Sequence, residues 1–299
     1  MGNVVGSNIF NVLFILGVSA LIAPLVVAPQ LIRQEAPVML GASFLLFALA
    51  LDGGISRLDG ALLFGLMVIY TVFLIRQSRK ETQRTKDEYA AEFAPSASST
   101  WDRHWSVQIL LILAGLGLLV LGAHWLVDAA VSFARALGLS EMVIGLTIVA
   151  AGTSLPEVAT SVIATLRGER DIAVGNVIGS NTFNILGVLG VSGLVAPSAL
   201  PVAPAMLSFD LLVTIAVALA CLPIFFTGHS IERWEGGLFL FYYVAYTTFL
   251  LLAAQQHDAL ATYGTVMATV VLPLTAITLA VITMRQWRSR HRLPVERER

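Results

Sequence analysis

Along most of the chain, apolar residues run for twenty or so positions before a short polar break interrupts them. Crossing the hydrocarbon core takes roughly 20 such residues in a helix. Nine stretches qualify: 3–24, 36–52, 58–77, 106–136, 141–167, 171–196, 201–227, 233–255 and 259–284, with 36–52 the shortest. The only long polar segment runs from Arg76 to Trp105, has no apolar periodicity, and reads as a solvated linker. The pattern predicts an all-α integral membrane protein of about nine transmembrane helices. It divides into a first half over 1–77, a linker over 78–105, a second half over 106–256, and an additional helix with a basic tail over 257–299.

Composition narrows the class. Charged residues make up 12% of the chain and apolar ones 57%, against about 25% charged in soluble domains, so the lipid bilayer is the expected solvent. The net charge of −1 gives no basic face for nucleic acid. Lone Cys221 excludes an intrachain disulfide and any cysteine metal site. Lys and Arg collect on the cytoplasmic side of membrane proteins. Placing the linker inside, with Arg76, Arg79, Lys80, Arg84, Lys86 and Arg103, also places Arg33, Arg167, Arg170, Arg233 and the tail inside. Only Arg57 and Arg135 fall outside. Linker and C-terminus are thus expected in the cytoplasm and Met1 on the outer side.

An internal repeat organises the spans. Gly2-Asn-Val-Val-Gly-Ser-Asn-Ile-Phe-Asn11 returns as Gly175-Asn-Val-Ile-Gly-Ser-Asn-Thr-Phe-Asn184, and 16 of 23 positions from Gly2 to Pro24 match those from Gly175 to Pro197. Weaker echoes follow. Ala36-Pro-Val-Met-Leu40 resembles Ala203-Pro-Ala-Met-Leu207, Ile55-Ser-Arg-Leu-Asp-Gly60 resembles Ile231-Glu-Arg-Trp-Glu-Gly236, and Tyr70-Thr71 answers Tyr246-Thr247. Spans one to three therefore repeat spans six to eight, in opposite orientation, as in secondary transporters with a mid-membrane site between inverted repeats. Spans four and five have no counterpart in the first copy, so the expectation is that two helices are missing before span one.

The candidate chemistry centres on Gly152-Thr-Ser-Leu-Pro-Glu157 in span five. A charged carboxylate at mid-membrane costs roughly 2.5–3.5 kcal/mol or more, which makes Glu157 a functional candidate. Pro156 has no N–H for the carbonyl of Gly152 and loosens the helix there. Thr153, Ser154 and Glu157 then make an oxygen-rich pocket suited to a hard cation such as calcium, which takes six to eight oxygens. Ser7 and Asn11, like Ser180 and Asn184, are four apart and share a helical face. The inverted repeat would bring those faces together. Gly2, Gly6, Gly175 and Gly179 have the small-xxx-small spacing of closely packed membrane helices.

Gly-Thr-Ser-Leu-Pro-Glu followed by Gly-Asn-Val-Ile-Gly-Ser-Asn resembles the alpha-repeat signature of the calcium/cation antiporter superfamily, in its bacterial sodium/calcium exchanger form. The resemblance covers residues 2–255. It implies an inverted-repeat antiporter fold of ten helices, here with the first repeat incomplete. It also implies a mid-membrane diamond of four ion sites, one preferring calcium and the others sodium. Carried over by motif, the second-half ligands are Glu157, Ser154 and the backbone carbonyls of Thr153 and Ala150, with Asn184 and Ser180 beside them. Asn11 and Ser7 are the first-half partners. Asparagine at both motif ends resembles the potassium-independent exchangers.

The implied activity is sodium/calcium exchange across a bacterial inner membrane, with calcium and sodium as transported ions, no cofactor and no enzymatic chemistry. The first-half Gly-Thr-Ser-Leu-Pro-Glu is absent, and the ninth helix lies outside the family pattern. Two other readings stay open: a calcium/proton exchanger with Glu157 as proton carrier, and a transport-inactive truncated product. Elsewhere, Asp128 and Glu141 read as solvated, His124 as a hydrogen-bonded core residue, and Phe239, Phe241, Tyr242 and Tyr243 as lipid-facing or interfacial. Asp210 lies deeper and is a candidate coupling residue.

Overall fold

The computed structural model describes residues 1–92, 105–136, 148, 150–226 and 228–291. Among the described residues, eight helices are long and apolar enough to cross a membrane. They are α1 (Gly2–Ile22), α2 (Leu31–Asp52), α3 (Arg57–Glu92), α4 (Trp105–Ala136), α7 (Arg170–Val195), α8 (Met206–Phe226), α9 (Arg233–Ala254) and α10 (259–291, with Ala259–Thr278 the apolar part). Between α4 and α7 lie the short helices α5 (Ala150–Thr153) and α6 (Leu155–Leu166). The span expected over 141–167 is thus broken in two at Ser154, and its residues 141–147 and 149 lie outside the described set. Helix α3 continues into the expected linker as far as Glu92.

Two small antiparallel ladders fix the relation between the halves. Strand β1 (Leu25–Val26), between α1 and α2, pairs with β4 (Ser230–Ile231), between α8 and α9. Strand β2 (Gly54–Ile55), between α2 and α3, pairs with β3 (Leu200–Pro201), between α7 and α8. Each ladder joins a loop of one half to a loop of the other. Because α1 ends where α8 ends, and α7 runs opposite to α8, α1 and α7 point in opposite directions. The repeats are inverted.

The echo between residues 55–60 and 231–236 now has a physical content. Ile55 and Ile231 are ladder residues. Ser56 and Asp59 cap α3 reciprocally, with the Ser56 N–H donating to Asp59 Oδ2 at 2.8 Å and the Asp59 N–H to Ser56 Oγ at 3.3 Å. Glu232 and Glu235 form the same capping box on α9. Arg57 donates to the Ala196 carbonyl just past α7 at 3.0 Å, and Arg233 to the Ile22 carbonyl at the end of α1 at 3.3 Å. A guanidinium is favourable where helix carbonyls end unpaired. Arg57, an exception in the charge partition, therefore has a structural task. Gly60 and Gly236 close the motif at helix crossings. A Cβ on Gly60 would stand 2.6 Å from the Leu194 nitrogen on α7, and one on Gly236 2.9 Å from the Gly17 carbonyl oxygen on α1.

The close backbone approaches are thus α3 on α7 and α9 on α1, not at Gly2, Gly175 or Gly179 of the expected small-xxx-small pairs. A Cβ on Gly2 or Gly175 would have its nearest neighbour at 3.5 or 3.9 Å, and one on Gly179 would meet nothing within 4 Å.

The register of α2 against α8 also corrects the sequence alignment. Both helices carry a π-helical turn in their first part, Leu31–Glu35 in α2 and Met206–Asp210 in α8. These pair Val27-Ala28-Pro29 with Val202-Ala203-Pro204, so Ala36-Pro37 is not the counterpart of Ala203-Pro204. Pro29 and Pro204 lie at the helix starts, where a missing N–H costs nothing.

The core is formed by α1, α2, α7 and α8, with Ile9, Leu16, Met39, Ile178, Ile185 and Phe225 among its buried side chains. Helix α4 is peripheral: His124, expected in the core, is 70% exposed and pairs with Asp128 at 3.3 Å. The aromatic cluster of α9 is mostly internal rather than lipid-facing. Phe239 is buried, and Tyr243 packs edge-on against Phe10 and Phe14 of α1. Only Phe241 is exposed. Helix α10 lies against α9, held by Tyr242, whose hydroxyl donates to Thr275 Oγ1 at 2.6 Å, and by Tyr263, which donates to the Ala245 carbonyl at 2.9 Å.

Candidate functional site

The break between α5 and α6 follows from Pro156, which stands in the first turn of α6 where its missing N–H is tolerated. Ser154 is the pivot, buried and outside helical geometry at φ −99°, ψ 8°. The restart aims Glu157, in the first turn of α6, at α7. There Glu157 lines a cavity of about 320 Å³ with Gly175, Asn176, Gly179, Ser180, Phe183 and Asn184. The room is made by Gly175 and Gly179, whose missing side chains leave open space. Glu157 Oε2 is buried, with no hydrogen-bond partner among the described residues.

Where α1 crosses α7, four asparagines lock the repeats together. The Asn8 side-chain amide donates to the Asn181 backbone carbonyl at 3.3 Å, and the Asn181 amide returns a bond to the Asn8 carbonyl at 3.1 Å. Asn11 donates to Asn181 Oδ1 at 3.0 Å, and Asn184 to Asn8 Oδ1 at 2.9 Å. The network maps onto itself when the repeats are exchanged, so the two-fold axis passes between Asn8 and Asn181. It also fixes orientation. With their NH₂ groups tethered, Asn11 and Asn184 have only amide oxygens left to offer, and Asn11 Oδ1 is buried with no partner among the described residues. A π-helical turn begins at each of these residues, Asn11–Leu16 and Asn184–Leu189. Such turns are frequent at functional sites because they displace backbone carbonyls from the α-helical ladder.

Of the residues expected at the site, Glu157, Ser180 and Asn184 share the cavity. Ser7 and Thr153 do not line it but meet each other, with their hydroxyls 3.4 Å apart and Thr153 donating to Asn3 Oδ1 at 3.0 Å. Asn11 meets Asn181 rather than Asn184 directly. Ser154 is buried at the break, and Ala150 opens α5.

Four polar residues escaped the sequence reading. Asn8 and Asn181 form the lock. Asn176 lines the cavity and donates to Ser161 Oγ at 2.9 Å and to the Glu157 carbonyl at 3.3 Å, tying α7 to α6. Asn3 is its counterpart in the first copy. All four asparagines stand at matching positions of the two copies, which was the available signal.

Among the described residues, no three His, Cys, Asp or Glu side chains come together. A cation here would be met by one carboxylate and otherwise by neutral amide, hydroxyl and backbone oxygens. Such a donor set suits hard cations such as sodium and calcium.

Known proteins agree with this architecture. The family model described as sodium/calcium exchanger protein matches residues 1–76 and 107–252. The putative antiporter CaxA of Alkalimonas amylolytica is 36% identical over 249 residues, covering 82% of this chain and 76% of its own length. The sodium/calcium exchanger MaX1 of Methanosarcina acetivorans is 33% identical over 280 residues, covering 84% and 79%. The solved structure of the sodium-calcium exchanger NCX_Mj, soaked with sodium and strontium, superposes with a TM-score of 0.63 at 32% identity, covering 81% of this chain and 73% of that one. With its inverted repeats, broken α5–α6 element and polar mid-membrane crossing, the chain belongs to the sodium/calcium exchanger protein family of secondary active cation antiporters.

Proposed function

We propose that this chain exchanges sodium for calcium by alternating access, at a mid-membrane site formed by Glu157, Ser154, Ser180, Asn184 and the Ala150 and Thr153 carbonyls, with Ser7 and Asn11 from the first half. One observation carries the reading: a buried Glu157 oxygen, without a partner among the described residues, in a cavity walled by Asn184, Ser180 and Asn176. A buried carboxylate oxygen without a donor costs free energy, and a bound cation removes that cost. Sodium and calcium compete for the same oxygens, so inward sodium movement drives calcium outward. The similar proteins MaX1 and NCX_Mj are sodium/calcium exchangers, which supports the choice of ions.

The halves are assigned to 1–77 and 106–256, joined by a cytoplasmic linker over 78–105, with 257–299 an additional helix and cytoplasmic tail. The arginine distribution supports this orientation. A bacterial inner membrane is the proposed location, supported by 37% identity over 227 residues to the inner membrane protein YrbG of Escherichia coli.

The test is calcium uptake into inverted membrane vesicles under a sodium gradient. Wild type accumulates calcium and Glu157→Gln falls to background. Uptake unchanged in that variant removes Glu157 from the site. The lone carboxylate of the cavity also fits a proton carrier. A calcium flux that follows pH and ignores sodium would select that second reading.

A further inference from the structure

The two halves differ on one outer face. In the second half, α10 covers a stripe of α9. Tyr242 and Ala245 bond to it, and a Cβ on Gly264 of α10 would lie 3.9 Å from the Phe249 ring. The repeat register set by Gly60 and Gly236 equates these three α9 residues with Leu66, Ile69 and Phe73 of α3. Among the described residues, no helix covers that stripe in the first half. It lines an apolar groove of about 400 Å³, with Val38, Gly41 and Ala42 of α2 as the opposite wall. A Cβ on Gly41 would meet nothing within 4 Å. The volume falls in the range of sites that hold a small molecule, about 300–1,000 Å³, and the groove lies along two membrane spans.

One end of the groove is charged. Helix α2 starts at the membrane face where α3 leaves it, so Arg33, five residues before Val38, and Arg76, three after Phe73, stand at the same end. Both are exposed, and neither forms an ion pair among the described residues. Glu35 is also at this end, half-buried and accepting a bond from Gln30 at 3.4 Å, which leaves a local charge of +1. The equivalent positions of the second half are Ser208 and Leu252, which carry no charge.

We propose that this groove binds a glycerophospholipid, with one acyl chain between α2 and α3 and the phosphate met by Arg33 and Arg76. The chain gains little from leaving other lipid tails, which are as apolar as leucine. Its gain is the dispersion contact that an unfilled groove at Gly41 forfeits. The guanidinium–phosphate bonds supply the preference for one end of the groove. The bound lipid does for the first half what α10 does for the second.

Native mass spectrometry of the detergent-purified full chain tests this. Wild type retains one phospholipid. Gly41→Phe, whose ring fills the groove, loses it, while Gly117→Phe at an equally open position on α4 keeps it. Arg33→Gln with Arg76→Gln retains it about tenfold more weakly, the loss expected for charged hydrogen bonds. Equal retention in wild type and Gly41→Phe overturns the proposal. Should Gly41→Phe fail to fold, wild type in phosphatidylglycerol vesicles carrying a photoactivatable acyl chain gives the answer. Crosslinks concentrated in residues 38–45 and 66–73 support the site, and crosslinks spread evenly over α4 and α10 overturn it.

Discussion

Asn8 and Asn181, 173 positions apart in the chain, each donate a side-chain amide to the other's backbone carbonyl. A residue can bond its own repeat counterpart in this reciprocal way only if it lies beside the two-fold axis. The pair marks the centre of the molecule, and its side-chain oxygens, Asn181 Oδ1 and Asn8 Oδ1, accept the side-chain amides of Asn11 and Asn184. Replacing either by Ala leaves buried groups unpaired, at about 1–3 kcal/mol each. Thermal unfolding in detergent should show both single losses, and a double-variant loss smaller than their sum, because the two share one network.

The same lock orients the candidate ion ligands. Asn8→Ala frees Asn184 to rotate and should weaken calcium binding by about 10–100-fold, the range for residues that orient metal ligands. Isothermal titration on purified protein would measure it. An unchanged affinity would mean that Asn184 needs no such restraint.

Gly60 allows no side chain. Even Ala places a methyl group 2.6 Å from the Leu194 nitrogen and 2.9 Å from the Gly190 carbonyl oxygen, both backbone atoms. The expected cost of Gly60→Ala is about 1–3 kcal/mol of overpacking, read as a lower melting temperature. Gly65→Ala, five residues along the same helix with nothing within 4 Å, should be neutral.

Tyr246 donates to Asp210 Oδ1 at 2.8 Å, so the deep carboxylate on α8 has a partner from α9. Tyr246→Phe removes the only donor to that oxygen among the described residues and should cost about 1–3 kcal/mol. If transport under a sodium gradient survives Asp210→Asn, the pair serves structure rather than coupling.

Arg57 and Arg233 cap the ends of α7 and α1. Both are exposed, so Arg57→Ala should lower stability by less than about 1 kcal/mol. It should leave vesicle uptake near the wild-type level, which separates the cap from the ion path.

Much of this was legible in the sequence. Spans were readable because hydrocarbon tolerates no unpaired backbone, and the repeat because 16 of 23 residues coincide. The break at Pro156 was readable because proline lacks an N–H. What could not be read was which apolar helix is central. Trp105–Ala136 is among the most apolar segments yet lies outside the core, since lipid and a neighbouring helix look alike to a leucine. His124 and Tyr243 were misplaced for that reason. The π turns at Asn11 and Asn184 have no residue signature, and the alignment of Ala36-Pro37 failed because a short motif was matched without the helix start that gives proline its meaning.

The ladders β1–β4 and β2–β3 pin the halves at opposite faces of the bilayer, like pintles at the top and bottom of a rudder. Separation or sliding of the halves along the membrane normal would break one ladder or the other, which leaves pivoting about the line between them. Helices α4, α5 and α6 carry neither ladder. Glu157 is therefore held to the pinned frame by no ladder but by Asn176 of α7, which bonds the Glu157 carbonyl and Ser161.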